Sequence, residues 1–245
     1  MGELAEGPHE ARVERFVLVA GDGTPVDAIH ARPVGTPDSG VVVHPDMGGV
    51  RDLFDDQCRR LATHGFAVAC TEPFARFPRE VREASDVGVR MSHMKDMDDD
   101  VQLGDLAAAA AFLATGDGVE RVSIIGFCMG GMYTLKAAAT GAFARAVPFY
   151  GMIRLPDDWK GPGQREPLDT APRVCPTLAI LGGKDPWTPP DDIDALRAAW
   201  RDRDDCEIVV YPEADHGFVH APERPAHRPD DATDAWQRAL EFLRR

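Results

Sequence analysis

The sequence has no CxxC pair, no HExxH or Cys/His zinc spacing and no apolar run as long as a membrane span. Its five cysteines, Cys58, Cys70, Cys128, Cys175 and Cys206, are scattered through 245 residues, which argues against a disulfide scaffold. Basic charge is also short: 27 Lys and Arg stand against 41 Asp and Glu, a formal charge of −14. That balance leaves no broad electrostatic footprint for nucleic acid or an anionic membrane, and neither is expected as a partner. The opening stretch "MGELAEGPHEARVERF" carries no basic patch followed by an apolar run, so a cytoplasmic protein is expected. Repeats, low-complexity tracts and linkers are missing too, and a single domain over residues 1–245 is expected.

What is present is an alternation of short Val- and Ile-rich runs with longer amphipathic stretches, the pattern of a mostly parallel sheet wrapped by helices. A first hairpin is expected from "RVERFVLVA" and "VDAIHARP" through "GDGTP". Buried strands are expected at "GVVVHP", "FAVACTEP", "RVSIIGF", "RAVPFYG", "CPTLAILG" and "CEIVVYP". Helices are expected across "LFDDQCRRLATHG", across residues 97–114, across "GMYTLKAAATG" with Gly141 as its stop, and across "DDIDALRAAWRD" and "DDATDAWQRALEFLRR". Residues 155–172, rich in Pro, Gly and charge, read as a loop. Cys70 and Cys175, each embedded in an apolar run, read as small core residues.

The acidic run "KDMDDD" suits the positive end of a helix. Asp96, Asp98 and Asp100 imitate the opening of a calcium loop, but Val101 stands at the sixth position, where glycine makes the turn, and Ala107 at the twelfth, where glutamate belongs.

Cys128 has a different setting from the other cysteines. In "RVSIIGFCMGGMYTL" it lies between an apolar strand and an Ala-rich helix, flanked by Gly126 and Gly130. Small residues at those places let the chain turn sharply enough to lift one side chain above the sheet as a nucleophile elbow, and the helix dipole favours the thiolate. A buried, inert thiol would satisfy the local pattern equally. The rest of the chain decides between them, because a nucleophile needs a base and an orienting acid at the carboxyl ends of later strands. Asp185 follows "CPTLAILG" and His216 follows "CEIVVYP", in the order nucleophile, acid, histidine of an α/β-hydrolase. Asp215 ranks below Asp185, since adjacent side chains rarely meet. His216, His220 and His227 lack metal-site spacing, so no metal is expected. Oxyanion donors are expected at the Met129 backbone N–H and, from the loop "HPDMGGV", at the Met47 N–H.

Through "HPDMGGV", "GFCMGG", "FYG", "GGKDPWTP" and "DHGF" the chain resembles the dienelactone hydrolase family of α/β-hydrolases, from about residue 13 to residue 243. The resemblance implies the α/β-hydrolase fold, a triad at Cys128, Asp185 and His216, hydrolysis of a small ester or lactone through an acyl-cysteine, and no cofactor. It also places Asp46 where dienelactone hydrolase has a glutamate linked to control of the thiol. The substrate-carboxylate positions, two arginines and a tyrosine, fall at Arg90, His220 and Met94. These departures lead to the expectation that the substrate is not dienelactone itself. Met91, Met94 and Met97 recur at helical spacing and read first as core, with a flexible pocket wall as the functional alternative. With Trp187 and Tyr150 lining the same cleft, a more hydrophobic acyl group is expected. Two other functions remain open on sequence: thioester or carbon–carbon bond cleavage on the same triad, and a small-molecule binding or thiol-sensing protein on a hydrolase scaffold.

Overall fold

A computed structural model describes residues 4–219 and 222–245. Eight strands form one sheet in the order β1-β2-β4-β3-β5-β6-β7-β8. They are β1 (Ala11–Val19), β2 (Pro25–Pro33), β3 (Ser39–His44), β4 (Phe66–Thr71), β5 (Val122–Phe127), β6 (Ala146–Phe149), β7 (Thr177–Gly182) and β8 (Cys206–Tyr211). The β1–β2 hairpin is antiparallel and β2 joins β4 antiparallel, while every pairing from β4 onward is parallel. The α-helices are α1 (Asp52–Thr63), α2 (Arg79–Arg82), α3 (Val87–Ser92), α4 (Asp99–Gly116), α5 (Met129–Ala137), α6 (Pro190–Ala199) and α7 (Pro229–Arg244).

The central strands β3 to β7 are mainly apolar and buried along their whole length because both faces are covered, whereas β1 at the sheet edge exposes Arg12, Glu14 and Arg15. Val41 and Val43 point into one core layer with Phe54 of α1 and Trp236 of α7, whereas Val42 points into the other with Leu106 of α4 and Met132 of α5. Neighbouring residues Ile125 and Ile124 divide in the same way. One charged contact crosses the second layer: Lys136 of α5 reaches Asp99 at the start of α4, at 2.8 and 3.0 Å, with both side chains buried.

Most expected elements stand within a few residues of their predicted places, with four differences, one being that residues 155–172, read as a loop, carry 3-10 turns at Asp157–Trp159 and Pro167–Arg173. The helix after Cys128 ends at Ala137 rather than Gly141, because Ala139 and Thr140 close a tighter turn onto Lys136 and Ala137 and the Ala138 carbonyl accepts from the Cys175 N–H. Gly141 has φ 80° within the turn that follows. Residues 79–92, unassigned in sequence, form the short helices α2 and α3. The Met91, Met94, Met97 series is not one helix: α3 ends at Ser92 and a separate 3-10 turn carries Met94.

The acidic run starts α4 as expected, with the Asp98 carboxylate accepting from the amides of Asp100 and Val101. Asp96 pairs with His93 and Asp100 with Arg165. No helix among the described residues is long and apolar enough to cross a membrane.

Candidate active site

The sheet fixes where a site can form. From β3 the chain moves outward to β4 by way of α1 on one face, and from β5 it moves the other way to β6 by way of α5 on the opposite face. The strand order therefore reverses between β3 and β5, leaving a crevice beyond their carboxyl ends. His44 pairs with Gly126, so the two strands finish level and the loop after β3 lies beside the turn after β5.

That turn is sharply strained. Cys128 has φ 57° and ψ −121°, one of two non-glycine residues with positive φ among those described, a conformation held only by its surroundings. It is anchored by its N–H to the Phe149 carbonyl and by its carbonyl, which accepts from the Met132 N–H. A Cβ on Gly126 would run into the Gly130 backbone, 2.6 Å from its carbonyl carbon. A Cβ on Gly130 would strike the carbonyls of His44 and Pro45. Both glycines thus serve close backbone approach, and the second brings the β3 loop against the start of α5. Met129 is the first residue of that helix, where backbone N–H groups have no intrahelical acceptor. Met47 lies in the facing loop on the wall of the same cavity as Cys128.

Asp185 and His216 are brought together by the loops after β7 and β8. The Gly183 N–H donates to Tyr211 and the Lys184 N–H to Ala214, so the two loops run as a pair. Asp185 Oδ2 then stands 2.8 Å from His216 Nδ1, while its Oδ1 accepts from the Trp187 N–H at 2.8 Å. Asp215 bonds instead to the His216 backbone N–H. His216 Nε2 is buried and makes no conventional hydrogen bond among the described residues. Burial alone would pull the imidazole down, and it is the largest single influence; interactions with Cys128 and Asp185 together outweigh it and raise the pKa to about 10. Tyr150, with φ 37°, sets its ring edge-on to His216 at 5.3 Å.

The cavity, about 790 Å³, is lined by Cys128, His216, Asp46, Met47, Arg90 and Trp187 among others. Of the remaining predicted residues, Tyr150 is fully buried behind the imidazole and does not line it. Met94 is 0 % exposed and belongs to the core, as does Met97, because the break after Ser92 turns them inward; only Met91 of the three reaches the cavity. The pocket-facing role expected of Met94 is therefore corrected. His220 lies outside the described residues. Asp46 is held in a two-pronged pair by Arg51, at 2.6 and 2.9 Å, and accepts from the Gly48 N–H.

Sequence reasoning missed Trp159, Arg51, Arg82 and Arg224, which also line the cavity. Trp159 sits in the stretch read as a plain loop, and its ring lies 5.5 Å from that of Trp187. A lone tryptophan amid Pro, Gly and charge was the available signal. Among the described residues, no three His, Cys, Asp or Glu side chains are grouped to hold a metal ion.

A mostly parallel eight-stranded sheet, helices on both faces and a strained turn at the strand reversal define an α/β-hydrolase fold. The chain belongs to the dienelactone hydrolase family, whose sequence profile matches residues 26–245. It is 32% identical over 248 aligned residues to a protein of Escherichia coli strain K12 named "Putative carboxymethylenebutenolidase", covering 98% of this chain and 90% of that one. It is 31% identical to a Bradyrhizobium protein named "Probable 2-oxo-3-(5-oxofuran-2-ylidene)propanoate lactonase", covering 87% of each. Among solved structures, the "Putative Dienelactone Hydrolase" of Klebsiella pneumoniae superposes with a TM-score of 0.87 at 30% identity, covering 96% of this chain and 99% of the other. By class, the protein is an ester or lactone hydrolase.

Proposed function

We propose that the protein hydrolyses small esters or lactones with Cys128 as nucleophile, His216 as acid and base, and Asp185 as the group that orients the imidazole. The observation that carries this reading is the 2.8 Å contact between Asp185 and His216 Nδ1, with the outer edge of the same ring turned to Cys128 on one cavity wall. Holding Nδ1–H on a carboxylate fixes the tautomer, so that Nε2 is the atom that exchanges protons with sulfur and substrate.

Sγ of Cys128, as thiolate paired with the His216 imidazolium, attacks the carbonyl carbon, and the carbonyl electrons move onto oxygen. The backbone N–H groups of Met47 and Met129 receive that oxyanion. Collapse expels the alkoxide, which takes the proton from His216 Nε2, leaving a thioester on Cys128. In a lactone the expelled oxygen stays on the same molecule. Water then gives a proton to Nε2 as its oxygen attacks the thioester, and the second collapse releases the acid and restores the thiolate–imidazolium pair. Trp159, Trp187 and Met91 supply apolar cavity wall, which favours an acyl group with hydrophobic surface. The Asp46–Arg51 pair places its charges at the cavity edge, where Asp46 stands in for the family's glutamate.

Replacing Cys128 by alanine tests the reading. Turnover of a chromogenic short-chain ester is expected to vanish while the far-UV circular dichroism is unchanged. Undiminished hydrolysis by Cys128→Ala would refute the mechanism.

A further inference from the structure

The resemblance to dienelactone hydrolase places Arg90 among residues that grip a substrate carboxylate, yet the structure gives its guanidinium other work. Arg90 is 4 % exposed. Its Nε donates to the Val81 carbonyl at 3.2 Å, one Nη to the Met47 carbonyl at 3.3 Å and the other Nη to the Arg82 carbonyl. The Nη facing Met47 also stands 3.6 Å from Glu72 Oε1, and the guanidinium lies over the Phe74 ring at 5.1 Å. Three of its five donors are thereby aimed at main-chain oxygens, and one face is covered by an aromatic ring.

Glu72, just past β4, completes the arrangement. One carboxylate oxygen accepts from the Val50 N–H at 2.8 Å and the other from the Phe74 N–H at 3.0 Å. Burial raises its pKa against the lowering effect of Arg90, as expected for a carboxylate kept from water. Gly49, at φ 65°, leaves the room: a Cβ there would collide with Arg90 and stand 2.7 Å from Glu72 Oε1. The ion pair therefore touches the β3 loop at both Met47 and Val50, and through Val81 and Arg82 it touches α2. The Met47–Gly48 peptide is gripped at both ends, its carbonyl by Arg90 and its N–H by Asp46 at 2.8 Å. A cavity wall is built on either side, since Arg90 lines the large cavity and Glu72 a second one of about 210 Å³.

We infer that Arg90 and Glu72 are positioning residues: the pair fixes the oxyanion loop around Met47 against the α2–α3 segment, in place of an arginine that binds substrate charge. This inference rests on the cysteine-hydrolase reading for its catalytic consequence, though not for the mechanical link itself. Lysine is the discriminating substitution, because it keeps a cation for Glu72 or for a substrate carboxylate but cannot reach three carbonyls from one ammonium.

Arg90→Lys and Glu72→Gln would be compared with the natural sequence in two measurements. The first is kcat and KM for a neutral ester, p-nitrophenyl butyrate, and an anionic one, p-nitrophenyl hemisuccinate. Both variants are expected to lose about tenfold or more in kcat on both esters, with KM changed less than about threefold. The second is hydrogen exchange of peptides spanning residues 45–50 and 79–92, which is expected to quicken in both segments in either variant. Retained kcat with a KM rise confined to the anionic ester would overturn the inference, and so would unchanged exchange in the two segments. If hydrolysis proved independent of Cys128, the cysteine mechanism would fall, while the exchange measurement would still decide the link between the segments.

Discussion

Gly130 offers the most direct test of how the fold sets up the strained turn at Cys128. An added Cβ would lie 2.8 Å from the His44 carbonyl carbon and nearer still to the carbonyl oxygens of His44 and Pro45. Ordinary contact begins near 3.4 Å, so the end of β3 and the start of α5 must part by roughly 0.6 Å or more. Both sides of the contact are backbone, and no side chain can rotate away. Overpacking of this kind costs about 3 kcal/mol, the upper end of its usual range. For a chain of 245 residues that is a fall in Tm of roughly 6–12 °C. The same parting separates the Met47 loop from Met129, and misplacement on the ångström scale lowers kcat by up to about a hundredfold. Gly104, exposed in α4 with nothing within 4 Å of its absent Cβ, is the internal control. Gly104→Ala is expected to gain about 0.5–1 kcal/mol from helix propensity and leave kcat alone. Differential scanning calorimetry and ester hydrolysis on the two variants would check both. A Gly130→Ala protein that melts with the natural one and keeps its kcat would refute the reasoning.

Two further perturbations have opposite characters. Asp185→Asn removes one of the two partners, Cys128 and Asp185, that raise His216, so the imidazole pKa is expected to fall from about 10, as read by ring NMR against pH; an unmoved titration would count against the pairing. The sign for stability follows: a folded pKa above the unfolded value of about 6.5 stabilises fully below that value. The gain is lost as pH rises toward 10, and Asp185→Asn is expected to flatten that loss in urea unfolding at pH 7 and 10. Lys136→Met leaves the buried Asp99 carboxylate with the Arg165 backbone N–H and a guanidinium 3.5 Å away in place of the ammonium, and is expected to cost about 3 kcal/mol, the lower end for a broken buried pair, much of which a paired Asp99→Leu change restores. A loss under about 1 kcal/mol in the single variant would show the pair to be dispensable.

Much of the site was legible because its logic is carried by strands. Cys128 at the end of one apolar run, Asp185 after the next-but-one and His216 after the last need only the strand order to reach one edge of the sheet. The glycines at 126 and 130 announced the turn that Cys128 occupies, and the acidic run at residues 95–100 announced the start of α4. Less legible were segments without periodicity. Residues 79–92 gave no sustained pattern, so α2 and α3 went unassigned, and spacing alone suggested one stripe where Met91 faces the cavity and Met94 the core.

By itself, then, the sequence determined the layered α/β architecture and the order in which Cys128, Asp185 and His216 come to the sheet's carboxyl edge, since both follow from local hydrophobic patterning and connection rules. Tertiary structure alone decided what surrounds them. Arg90 turned to main-chain carbonyls and Glu72, Asp46 to Arg51, Trp159 into the cavity and Tyr150 behind the imidazole, because those orientations depend on loop geometry and, for Glu72, Met47 and His216, on contacts between separate segments, neither of which a local period encodes.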